Sequence, residues 1–163
     1  MKNRAKTIFL CQGAIIAAIY VVLTYITHMF GLDSGVIQIR VSEMLCVLPM
    51  FTTAAIPGLY LGCLLANLLT GAVWLDVIFG PIATLIGALG TYALRRWKWV
   101  APLPPIAANT LIIPFVLSYG YGMEQAIPFM MLTVGIGEIL SIYLLGMIFY
   151  FSIRKRAKSI FKI

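Results

Sequence analysis

Charge is what this chain has least of. Asp, Glu, Lys and Arg together make up 10% of its 163 residues, where a soluble domain carries about a quarter. That shortage, with 62% apolar residues and a mean hydropathy of +1.02, excludes an ordinary soluble domain and points to a membrane protein. With one histidine in the chain, His28, a metal site built on histidines is excluded. The three cysteines, Cys11, Cys46 and Cys63, lie in apolar stretches without CxxC or Cys/His spacing, so they read as small hydrophobes and not as disulfide or zinc ligands. There is no HExxH, no Gly-rich phosphate loop and no Ser/His/Asp set. Catalysis therefore lacks its candidate residues, no cofactor is called for, and any use of ATP falls to a partner protein. The two halves show no internal repeat, which weakens a stand-alone inverted-repeat transporter. Period-two alternation is missing too, which argues against an outer-membrane barrel.

What is present is a series of long apolar runs. They divide into six spans, at about 7–28, 40–56, 57–72, 75–95, 103–120 and 125–152. The second and third are shorter than the roughly 20 residues of a usual helical crossing, and the Pro57-Gly58 pair separates them. One long kinked helix over 40–72 is the alternative. MKNRAK before an apolar run resembles a signal peptide, but the run is too long and lacks a small-residue cleavage site, so a retained first helix is expected. The expected fold is all-α and integral to the membrane: one domain, 1–163, built as a six-transmembrane-helix bundle.

The basic residues give that bundle an orientation. Lys2, Arg4 and Lys6 precede the first span, Arg95, Arg96 and Lys98 lie between the fourth and fifth, and Arg154, Lys155, Arg156, Lys158 and Lys162 follow the sixth. With six spans all three clusters fall on one face, and five or seven would scatter them. The positive-inside rule makes that face, and both termini, cytoplasmic. The net charge of +7 therefore reports orientation, with no nucleic-acid partner implied. Arg40 is the one basic residue left over. Of the acids, Asp33 and Glu124 suit outer loops, while Glu43, Asp76 and Glu138 fall at or within spans.

Ionisable groups inside a bilayer cost about 2.5–3.5 kcal/mol by insertion scales unless paired or water-facing. Glu138, in VGIGEILSIYLLG, stands deepest, roughly 20 Å along the sixth helix at 1.5 Å per residue. Beside it, Gly135 and Gly137 would admit another backbone or a ligand. Glu138 could line a site or bond a neighbouring helix as a structural acid. Arg40 and Glu43, in VIQIRVSEML, are one helical turn apart and could neutralise each other or bind a ligand. Asp76 follows Trp74 in GAVWLDVIFGP, a corner that could stack and accept from a ring, although Trp74 could equally be an interfacial belt residue. Asn67 and Asn109 need hydrogen-bond partners within their spans. Were Glu43, Asp76 and Glu138 to share a cavity with Arg40, its formal sum would be −2, three carboxylates against one guanidinium. Such a cavity favours a cationic or N–H-rich ligand. In the first span Gly13, Ala14, Ala17 and Ala18 form a small-residue stripe, suited to packing within the protein or against a partner.

Read in order, QIRVSEMLCVLP, GLYLGCLLANLLTG, LDVIFGPIATLIGALGTY and VGIGEILSIYLLG resemble the QueT family, substrate-binding S components of energy-coupling factor (ECF) transporters, over about residues 7 to 150. The resemblance implies a six-helix bundle of the S-component type in a bacterial plasma membrane, with a pocket open to the outside. It implies extracellular loops over that pocket, with 31–39 as a lid and Arg40 as its hinge or wall. It implies association with a transmembrane coupling protein and two cytoplasmic ATPases, toppling to release substrate, and a coupling-protein contact through an AxxxA motif that Ala14 and Ala18 match. The substrate it implies is a queuosine precursor, a deazaguanine base.

Such a base offers paired N–H donors that a carboxylate accepts. Glu138 is the expected acceptor, and Glu43 or Asp76 would take an aminomethyl cation. Asn67, Asn109, Gln38 or Arg40 would donate to the carbonyl, and Trp74, Phe79 or Tyr119 would stack on the ring. A proton-coupled transporter acting alone, an S component for another vitamin-like base, and a non-transporting assembly protein are the competing readings.

Overall fold

The computed structural model describes residues 2–32 and 37–161. Asp33, with the rest of 33–36 in the expected 31–39 lid, and Lys162 lie outside that range. The described residues form helices and connections, with no strand among them. Helix α1 is Lys2–Met29, followed by a 3-10 helix at Val41–Met50. Then come α2 (Ala55–Leu69), α3 (Trp74–Ala93) and α4 (Leu103–Tyr121). A continuous α5 covers Ile127–Ile153, and its Ile139–Leu145 stretch widens into a π-helix. A short helix, Ala157–Phe161, ends the described chain.

Asn3–Met29, Trp74–Ala93, Leu103–Tyr121 and Ile127–Ile153 are long and apolar enough to cross a membrane, whereas Val41–Met50 and Ala55–Leu69 are apolar but shorter. The interruption within 40–72 falls at 51–54 and not at Pro57-Gly58. Proline lacks an N–H and is tolerated in a helix's first turn, which is where Pro57 opens α2, Pro105 opens α4 and Pro128 opens α5. Gly122, in the left-handed region at φ 67°, closes α4.

Small residues decide how α1 and α2 meet. In an apolar solvent, helices associate through close packing and hydrogen bonds. A Cβ on Gly58 would lie 2.7 Å from the carbonyl oxygen of Gly13, and one on Gly62 would lie 2.8 Å from the Tyr20 Cβ and 3.1 Å from the Ala17 Cα. The Gly13/Ala17 half of the stripe therefore seals α1 to α2. Ala14 and Ala18 are exposed on the other side. The main core joins Ile16 and Tyr20 of α1, Leu45, Cys46 and Leu48 of the 3-10 helix, Leu59, Cys63 and Ala66 of α2, Ala88 of α3 and Ile142 of α5. A second cluster, Ile113, Leu117, Met130 and Val134, ties α4 to α5.

The bundle has two unlike ends. At one, Trp99 and Phe151 rings meet at 5.7 Å, with Lys98 and Arg154 over the Phe151 ring. There a cavity of about 520 Å³ brings Ala5, Ile8 and Gln12 of α1 to Tyr92, Arg95 and Phe161. The N-terminal, 95–98 and 154–156 basic groups thus gather at this end. At the other end of α1 lies a second, polar cavity.

Gly58→Val should lower stability by about 1–3 kcal/mol, the cost of overpacking, in thermal unfolding of the detergent-solubilised protein. Ala14→Val, on the exposed face, should stay within about 0.5 kcal/mol. Equal effects at the two positions would contradict the division of the stripe.

Candidate binding site

The polar cavity encloses about 330 Å³ and is lined by Thr24, Thr27, His28, Gln38, Arg40, Asn67, Thr70, Gly71, Ala72, Asp76, Leu117, Tyr121 and Met123. The end of α1, the segment before the 3-10 helix, the α2–α3 turn and the end of α4 converge on it. Gly71, at φ 70°, makes the turn tight enough for Ala72 N to donate to Asn67 O at 3.0 Å. This brings Asn67 and Asp76 side by side: the Asn67 Nδ2 donates to the Asp76 main-chain oxygen at 2.8 Å.

Asp76 is 2% exposed. Its Oδ2 lies 3.5 Å from Arg40 Nη2 and accepts from the Tyr121 hydroxyl at 3.3 Å, while Oδ1 has no hydrogen-bond partner. Arg40 thus pairs with Asp76 and not with Glu43 one turn along. Arg40 is extended and lies before the helix, at φ −108° and ψ 98°, so the helical spacing that would align it with Glu43 does not apply. Glu43, 1% exposed, accepts instead from the Tyr20 hydroxyl and from Cys46 Sγ at 3.0 Å.

The segment carrying Gln38 and Arg40 is laid directly across α5. A Cβ on Gly137 would fall on the Gln38 carbonyl oxygen, so only a glycine admits the crossing there. One turn on, Arg40 N donates to Ser141 Oγ at 3.2 Å. Ile39 N donates to Leu32 O at 3.0 Å, holding the segment to the end of α1. Gly135 differs, with only ordinary contacts at 3.5 Å to Thr110.

Of the residues expected at a site, Arg40, Asp76, Asn67 and Gln38 meet around the cavity. Glu43 and Glu138 are buried but outside its lining. Glu138, 5% exposed, stands beside Asn109, and its Oε2 has no partner. The supposed sharing of one cavity by three carboxylates is therefore not what the fold builds. Trp74, Phe79 and Tyr119 are 69%, 41% and 74% exposed; Phe79 and Tyr119 line a separate apolar groove between α3 and α4. Tyr121 brings a phenol ring to the cavity; the sequence reading passed over it although it ends a helix next to Gly122. Thr24, Thr27 and Thr70 were also missed. Their hydroxyls donate back to Tyr20 O, Leu23 O and Ala66 O at 2.7–2.9 Å, which presents oxygen lone pairs elsewhere. Polar residues toward the end of an otherwise apolar helix were the available signal. Glu124 is exposed between α4 and α5.

Four membrane-length apolar helices define a multi-pass membrane protein, and the polar cavity at one end of it has room for a small molecule. A family model described as QueT transporter matches residues 10–155. The chain belongs to the QueT transporter family. It is similar to the queuosine precursor transporter QueT of Lactococcus lactis subsp. cremoris (strain MG1363), 37% identical over 97 residues. That match spans 59% of this chain and 57% of the relative, little more than half the length of either. No solved structure matches the chain.

Gly137→Ala should destabilise the protein by about 1–3 kcal/mol by pushing the Gln38–Arg40 segment off α5. Gly135→Ala should be neutral or stabilising by up to about 1 kcal/mol through helix propensity. Thermal unfolding of the two variants side by side checks this, and the reverse order would refute the crossing.

Proposed function

We propose that this chain is the membrane substrate-binding subunit, the S component, of an ATP-driven energy-coupling factor importer for a queuosine precursor, a deazaguanine base. The carrying observation is the cavity of about 330 Å³ walled by Arg40, Asp76, Asn67 and Gln38, a polar, base-sized hollow in an otherwise apolar bundle. Family membership and the printed name of the Lactococcus relative support the substrate. The gathering of basic groups at the opposite end supports a cytoplasmic location for that end and for both termini. The cavity then opens outward from the plasma membrane of a bacterium. Counting the two shorter apolar helices as crossings gives the six spans of an S component.

ATP hydrolysis belongs, in this reading, to two cytoplasmic ATPases joined through a transmembrane coupling protein. The exposed Ala14 and Ala18 suit that contact, because small side chains let a partner helix approach closely. Around them Leu10, Ile15, Val22 and Tyr25 are also 50% or more exposed. Glu43 and Glu138 are buried outside the cavity lining, and Asn109 stands beside Glu138.

The purified protein alone, in nanodiscs without ATP, should bind a deazaguanine base saturably by calorimetry. Absence of binding would overturn the substrate assignment, and uptake by vesicles holding only this chain would favour a transporter that works alone. Ala14→Trp should leave the affinity for the base within about threefold while abolishing uptake in cells with the full complex. Retained uptake would refute the assigned partner face.

A further inference from the structure

The cavity wall contains one charge that is poorly satisfied. Charge-assisted hydrogen bonds run about 2.7–2.9 Å, yet the contacts to Asp76 Oδ2 are 3.5 Å from Arg40 and 3.3 Å from Tyr121. Its Oδ1 has no partner at all. A carboxylate can accept about four hydrogen bonds, and leaving a buried one short is costly. Asn67 and two of the nearby threonines have settled their directions. Asn67 spends an amide proton on the Asp76 main-chain oxygen, and Thr27 and Thr70 spend theirs on main-chain carbonyls. On the adjoining segment, Arg40 has N–H groups beyond the one aimed at Asp76, and Gln38 also lines the cavity. The cavity thereby sets an acceptor from α3 and donors from the segment before the 3-10 helix side by side.

We infer that Asp76 is the specificity-determining residue: it accepts from the amidine-like edge of a ligand, a ring N–H flanked by an exocyclic amine, while Arg40 beside it and Gln38 donate to the carbonyl on the other flank of that N–H. Asn67 is a positioning residue that acts through the Asp76 main chain. Gly80 makes room for both, since a Cβ there would lie 2.8 Å from Asn67 Nδ2 and 2.9 Å from Asp76 Oδ1. Glu138, for all its depth, is not the reader of that edge. The inference rests on the cavity being the ligand site and refines it, fixing which way round the base sits.

The test compares deazaguanine with deazahypoxanthine, which lacks only the exocyclic amine, by calorimetry on the full chain in nanodiscs. Wild type should bind deazahypoxanthine about tenfold to a hundredfold more weakly, the loss expected for a hydrogen bond to a charged acceptor. Asp76→Asn should bind both bases weakly and discriminate less than about threefold. Glu138→Gln, which leaves Asp76 in place, should keep the wild-type discrimination and remains informative if Asp76→Asn does not fold. Equal binding of both bases by wild type overturns the inference. So does full discrimination by Asp76→Asn, or its loss in Glu138→Gln. If deazaguanine does not bind wild type at all, the substrate reading falls and this inference falls with it. If deazaguanine binds without discrimination, only the inference falls.

Discussion

A guanidinium far from the other basic groups, in a bundle of apolar helices, must find its counter-charge within the protein, and Arg40 finds it in Asp76. Isolated, either charge would cost several kcal/mol in such surroundings. Their attraction draws the start of α3 toward the segment before the 3-10 helix, and Tyr121 brings in the end of α4. The main chain of Arg40 fastens the same segment to α5 through Ser141. One ion pair and its supports therefore collect parts of the chain far apart in sequence, and the hollow they leave between them is the polar cavity.

The small residues perform the complementary task. Where α1 meets α2 and where Gln38 crosses α5, backbone touches backbone because glycine puts nothing in between. Lipid tails are as apolar as leucine, so bulk hydrophobicity gives helices in a membrane little reason to prefer one another to lipid. Close approach and buried polar contacts have to supply the specificity.

That same fact sets what could be read from the residues alone. The helical class, the long apolar helices and the isolation of Arg40 were legible, because composition and charge placement carry them directly. The partner of Arg40 was not. Glu43 is near in sequence and Asp76 is distant, and only the path of the chain brings Asp76 close. Trp74, Phe79 and Tyr119 were expected at the site because they are aromatic. Lipid is as apolar as a protein core, so hydrophobicity cannot tell the two sides of a membrane helix apart. Glu138 stood out by depth, and depth says how costly a carboxylate is, not which space it faces. The threonines escaped notice because their role depends on where each hydroxyl spends its proton.

The tight winding of Val41–Met50 has a consequence for reach. Ten residues at a 3-10 rise of about 2.0 Å per residue extend roughly 20 Å, against about 15 Å for an α-helix of the same length. The narrower coil carries the chain farther along its axis per residue. A segment that counts as too short by α-helical arithmetic is longer in ångströms than its residue number suggests. Length rules based on one kind of helix undercount the distance it covers.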